Sequence, residues 1–199
     1  KVFERLSAYG DPQFTILAGD EAIEGLQPMT GQALSRIRHR TARMRYFSLG
    51  SLKFSWQSDA WRIVRDETPD VVIVHGGFYD LTSWALLLWG RMRGRTVLSW
   101  TIGLQRPERG PKLWLRLLFY SLAKGLLLYG DYPARLLKEA GMNRKPMHVI
   151  YNSLDVSGQR EAEKSVGDDD VVQLRRDLAL DAKSRVLIFI GRIVRRKRL

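Results

Sequence analysis

Six short apolar runs, each continuous rather than alternating, recur along this chain with helix-length segments between most of them: "FTILAG" (14–19), "VVIVHG" (71–76), "TVLSWT" (96–101), "GLLLYG" (125–130), "MHVIYN" (147–152) and "VLIFIG" (186–191). A strand with one solvated face alternates apolar and polar residues, whereas a continuous run suits a strand covered on both faces, as in parallel sheets. "SDAWRIVRDETP", "YDLTSWALLLWGRMRG", "KLWLRLLFYSLAK" and "YPARLLKEAG", which lie between runs, have helical length or period. Repeated strand–helix–strand units close by right-handed crossovers, so the pattern predicts an α/β fold built on a doubly wound parallel sheet.

Ligands of open α/β sheets bind outside the carboxyl ends of the strands, where small residues let them approach the backbone. That rule gathers His75, Gly76, Gly77, Thr101, Gly103, Gly130, Asp131, Asn152, Asp155, Gly191 and Arg192 as candidate rim residues. Residues 156–170, "VSGQREAEKSVGDDD", are polar and acidic and read as a linker. They separate a sheet domain over 1–155 from a new helix over 171–180 and the last apolar run, so that 171–199 opens a second domain.

Composition removes several function classes. The chain lacks cysteine, which excludes disulfides, thiolate metal sites and cysteine nucleophiles. No apolar stretch approaches the ~20 residues of a membrane span. "KVFERLSAYG" has no signal-peptide design and reads as a chain entered partway through. The formal charge of +12 is clustered: residues 31–65 and 91–125 each hold eight Lys or Arg against one acid, and the last nine residues hold five more. Nucleic acid, an anionic membrane surface or phosphorylated small molecules would each suit such a surface.

"IYNSLD" and, across the linker, "LRRDLALDAKSRVLIFIGRIVRRK" carry a more specific message. The chain resembles glycosyltransferase family 4, the nucleotide-sugar transferases of GT-B fold. Asn152 and Asp155 match the Asn-x-x-Asp motif that closes the family's N-terminal Rossmann-like domain. Gly191, Arg192, Ile193 and Lys197 match the Gly-Arg-Leu and Lys pattern that follows the first strand of the C-terminal one. "TPDVVIVHGG", "RTVLSWTIG" and "LLLYGDYPARLLKEAG" resemble successive N-terminal units in order. The resemblance implies the N-terminal half of a GT-B fold, truncated at both ends and inactive alone. It also implies a retaining, metal-independent transferase that moves sugar from a nucleotide-diphosphate sugar to a cell-envelope glycan or lipid-linked acceptor. No cofactor is expected beyond that co-substrate, and the expected location is cytoplasmic, including the inner face of the membrane.

Within the resemblance, Arg192 and Lys197, with Gly191, would bind the donor diphosphate. A guanidinium grips phosphate oxygens in pairs, and an ammonium acts as a compact charge where the leaving group gains its own. Many members carry a His in the turn after the "VLSW" strand; here Ile102 stands there, and His75 is the nearby imidazole. His75 is therefore a catalytic candidate, or else a structural residue at a strand end. Gly76, Gly77, Thr101, Gly103, Asn152 and Asp155 are cleft or acceptor candidates, and Asn152 and Asp155 equally suit a turn.

One segment has two readings. On a helix, Lys112, Arg116, Tyr120 and Lys124 form a polar stripe at i, i+4, i+8 and i+12 beside Trp114 and apolar bulk. It is either an interfacial helix meeting anionic lipid through Lys112, Arg116 and Lys124, or a buried crossover helix whose long cations snorkel outward. Two other functions stay open beside the transferase. One is a non-catalytic membrane-docking module. The other is a nucleic-acid binder using "RIRHRTARMRYF", although no recognition signature is present and no nucleic acid is expected.

Overall fold

The apolar runs at 71–76, 96–101, 125–130 and 147–152 become one sheet. In the computed structural model, which describes residues 13–19, 37–50, 52–151, 156–181 and 183–188, the chain divides into two compact units, Lys1–Ser153 and Leu154–Leu199. The first unit begins with strands β1 (Thr15–Gly19) and β2 (Arg38–Ala42), paired in parallel, and an antiparallel hairpin, β3 (Met44–Leu49) and β4 (Leu52–Gln57). Helix α1 (Ser58–Glu67) leads into the main sheet, β5 (Val71–His75), β6 (Thr96–Thr101), β7 (Gly125–Leu128) and β8 (Met147–Val149), ordered β5-β6-β7-β8 and parallel throughout. Helices α2 (Leu81–Met92), α3 (Pro111–Leu122) and α4 (Asp131–Glu139) make the three crossovers.

With strands in sequence order and right-handed crossovers, all three helices fall on one face of the sheet. The core follows from this. Val72 and Val74 of β5, Val97 of β6, and Leu126 and Leu128 of β7 share that face by register. They pack with Leu86, Leu87, Phe119, Tyr120 and Leu137 from the helices. The ring of Trp84 on α2 meets Phe119 on α3 edge-on at 5.0 Å. On the opposite face Val71 and Ile73 are 49% and 43% exposed, so "VVIVHG" is continuous in composition but alternating in burial.

Within the basic segment 36–47, to which the sequence reading gave no secondary structure, residues 38–42 form β2 and residues 44–47 begin β3. The hairpin register pairs Leu49 with Leu52 around Gly50, where φ is +59°. Hairpin turns of this length need that left-handed conformation, and glycine adopts it without strain.

In the second unit, the stretch expected as a linker is helical at Val156–Lys164 (α5), and the next helix, α6 (Asp168–Asp177), begins within it rather than at residue 171. "QREAEK" is made of strong helix formers, and Asp168, Asp169 and Asp170 complement the dipole at the start of α6. Neither helix buries a residue. Val186, Leu187 and Ile188 are not in a strand. Among the described residues this unit offers no second strand for them to pair with, and 189–191 lie outside the described residues.

Candidate functional site

The carboxyl ends of β5, β6 and β7 surround a cavity of about 580 Å³ within the first unit. His75, Gly76 and Gly77 leave β5, Trp100 to Gly103 leave β6, and Tyr129 follows β7. Lys112, Arg116 and Tyr120 enter from α3, and Arg106 and Glu108 from the loop before it.

Small residues shape the floor because backbone crowds there. The Gly76 N–H donates to the Trp100 carbonyl at 2.8 Å, and a Cβ at Gly76 would lie 2.6 Å from Thr101 Oγ1. Thr101 Oγ1 is the hub of this corner. It accepts from the Gly103 N–H at 3.0 Å, shares a 2.8 Å hydrogen bond with the Tyr120 hydroxyl, and reaches the Gly76 carbonyl at 3.4 Å. Gly103 turns the chain away at φ +70°, which a side chain would resist. Burial pushes the Tyr120 phenol above its ordinary value, against the pull of its bond to Thr101, so it stays protonated at neutral pH.

The loop after β5 is tied down carbonyl by carbonyl. Ser83 Oγ donates to His75 O at 3.1 Å, the Asp80 N–H to Gly77 O at 2.9 Å, and Trp84 Nε1 to Phe78 O at 2.8 Å. From the hairpin, the Ser55 N–H donates to Tyr79 O at 3.1 Å. Asp80 caps α2, accepting from the Thr82 N–H at 3.1 Å, and Thr82 Oγ1 in turn accepts from the Gln57 N–H at 2.6 Å. Strand β4 therefore braces the loop after β5 and the start of α2.

The cavity wall holds one ion pair, Arg116 Nη1 to Glu108 Oε1 at 3.3 Å, with the guanidinium 5.0 Å above the Phe78 ring. Arg116 Nη1 also lies 3.4 Å from Gly103 O. Yet Glu108 Oε2 and Arg116 Nε are buried and have no hydrogen-bond partner among the described residues. Buried polar atoms normally find partners. The rings of Trp100 and Tyr129, 6.0 Å apart between centroids, supply apolar surface beside them.

The family model described as Glycosyltransferase Family 4 matches residues 17–157, a span that contains the whole cavity. The chain belongs to glycosyltransferase family 4. Neither curated proteins nor solved structures yield a match.

In this family 4 chain the predicted rim residues His75, Gly76, Gly77, Thr101 and Gly103 do come together around one cavity, and Ile102 lines it too. Gly130 and Asp131 are not among the lining residues: Gly130 precedes α4, and Asp131 accepts from the Tyr151 hydroxyl at 2.9 Å. Asn152, Asp155, Gly191, Arg192 and Lys197 lie outside the described residues, and the family match ends before the last three.

The polar stripe on α3 needs correction. Lys112 and Lys124 are exposed, but Arg116 turns into the cavity and Tyr120 is buried. The stripe faces inward at its centre because Glu108 and Thr101 wait there. Glu108, Trp100 and Tyr129 were not among the sequence candidates. The available signal was the lone acid within the basic stretch 91–125, since a single carboxylate among eight cations has many partners to choose from.

Proposed function

We propose that this family 4 chain supplies the acceptor side of a retaining glycosyltransferase, which moves a sugar from a nucleotide-diphosphate donor to a hydroxyl of a cell-envelope or lipid-linked saccharide. The observation that supports this most directly is the cavity at the carboxyl ends of β5, β6 and β7, which lies within the family match and is lined by both polar side chains and the rings of Trp100 and Tyr129. Sugar hydroxyls both donate and accept, and the C–H face of a sugar ring packs on aromatic surface. The acceptor oxygen bonds to the donor's anomeric carbon as the bond to the diphosphate breaks, and the acceptor proton leaves with the diphosphate oxygen. His75 at the rim would orient the acceptor hydroxyl, while Gly191, Arg192 and Lys197 would hold the diphosphate as its charge grows, without a metal.

The test is transfer of labelled sugar from a panel of nucleotide sugars to envelope saccharides, using the 199-residue chain and the product of the whole gene that encodes it. The gene product is expected to transfer and its Arg192→Ala variant, folded, to lose at least ~100-fold in rate. The 199-residue chain is expected to transfer none. Undiminished transfer by Arg192→Ala, or turnover by the 199 residues alone, overturns this division of roles.

A further inference from the structure

The cavity is lined from two sources of unlike chemistry. The strand ends bring the rings of Trp100 and Tyr129. Helix α3 and the loop before it bring charge: three cations, Arg106, Lys112 and Arg116, against one carboxylate, Glu108. No other acidic residue lines the cavity.

Glu108 does not neutralise this side. Its carboxylate is taken by Arg116 at 3.3 Å, and the same guanidinium lies 3.4 Å from Gly103 O. Arg106 and Lys112 have no ion-pair or hydrogen-bond partner among the described residues. The local sequence offers them none, since Glu108 is the only acid in residues 91–125 and the first turn of α3 carries none. Both side chains belong to exposed residues that still line the cavity, which sets them at its mouth. A cleft lined by one sign of charge concentrates ions of the other sign. A guanidinium can take two phosphate oxygens at once, and an ammonium adds a compact charge beside it. Aromatic rings suit the C–H face of a sugar.

We infer that the acceptor held here is a phosphorylated saccharide, with its phosphate group on Arg106 and Lys112 and its ring against Trp100 and Tyr129. The inference deepens the reading of this cavity as the acceptor site and rests on it. A free sugar phosphate and a saccharide joined to a carrier through phosphate present the same group to these cations.

Calorimetric titration of the 199-residue chain tests it, at constant ionic strength because salt screens exposed cations. The probes are hexose 1- and 6-phosphates, the octyl diesters of the same phosphates, the parent hexoses and UDP. At least one phosphorylated hexose should bind at least ~tenfold tighter than its parent. Tighter binding of the monoester or of the diester assigns the source of the phosphate, and either supports the proposal. Arg106→Gln and Lys112→Gln should each lower the preference for the phosphorylated form about fivefold. Arg109→Gln, an exposed cation outside the cavity lining, should leave that preference unchanged. Equal affinity for phosphorylated and parent sugars, no binding of any phosphorylated hexose, or an equal loss in Arg109→Gln overturns the proposal. So does displacement of the hexose phosphate by UDP, which would make the cations a nucleotide site. Transfer by the whole gene product to neutral saccharides alone overturns this inference and leaves the transferase reading standing. Selective binding of a hexose phosphate by a gene product that transfers no sugar supports the phosphate site and removes the transferase reading instead.

Discussion

Arg116 and Glu108 meet at 3.3 Å with side chains only 15% and 18% exposed, so a helix and the loop that leads into it are joined across the cavity wall. Removing one partner strands the other charge in a poorly solvated place. Arg116→Met is expected to destabilise the chain by about 3 kcal/mol, the lower end for a broken buried pair because some solvent remains. Replacing both, Arg116→Met with Glu108→Leu, should cost less than Arg116→Met alone. Urea denaturation of the two single variants and the double gives the cycle that checks this.

Tyr120 makes stability fall in base. Its phenol is raised above the ordinary value by burial in the fold, while in the unfolded chain it ionises near ~10. Above that pH the unfolded state has released a proton that the native state still holds, so unfolding gains relative to folding as pH rises. Stability from this group is complete below about pH 10 and declines beyond it. Melting temperatures measured from about pH 8 to 11 should drop less steeply in Tyr120→Phe. At neutral pH the same variant should lose about 1 kcal/mol with its bond to Thr101.

A methyl group at the floor has no room. Gly76→Ala places a Cβ against Thr101, and either β5 or the Thr101 hub must move. The expected cost is about 1–3 kcal/mol. Thermal melts report it, and Thr101→Ser in the same chain should not recover the loss, because serine keeps the Cβ and the hydroxyl oxygen that take up the space.

Phe119→Ala opens a hole where α2, α3 and the sheet converge, since Phe119 is fully buried and touches the rings of both Trp84 and Tyr120. A loss of about 3–5 kcal/mol is expected in chemical denaturation.

The central sheet and its crossovers were legible because burial leaves a strong imprint on residue choice. Strands β5 to β7 and helices α2 to α4 fall where apolar runs and helical period place them. Strands β2 to β4 were not, because "RHRTA" and "MRYFSL" are mostly exposed and carry arginine where a buried strand would carry valine. Their stability comes from pairing, and the short turn at Gly50 was the only local hint. In the site, the residues at strand ends followed from topology. Glu108 did not, because an ion pair between a loop and the second turn of a helix has no period. Arg116 was misread for a related reason: a helical wheel shows which residues share a side but not which side faces the core.

Consecutive carbonyls from His75 to Asp80 all lie within reach of donors, from Ser83, Thr101, Asp80, Trp84, Ser55 and the first turn of α2. Loops at ligand sites commonly stiffen on binding and lose entropy as they do so. This one has little motion left to surrender, so a molecule that settles against it meets a surface already in its final shape.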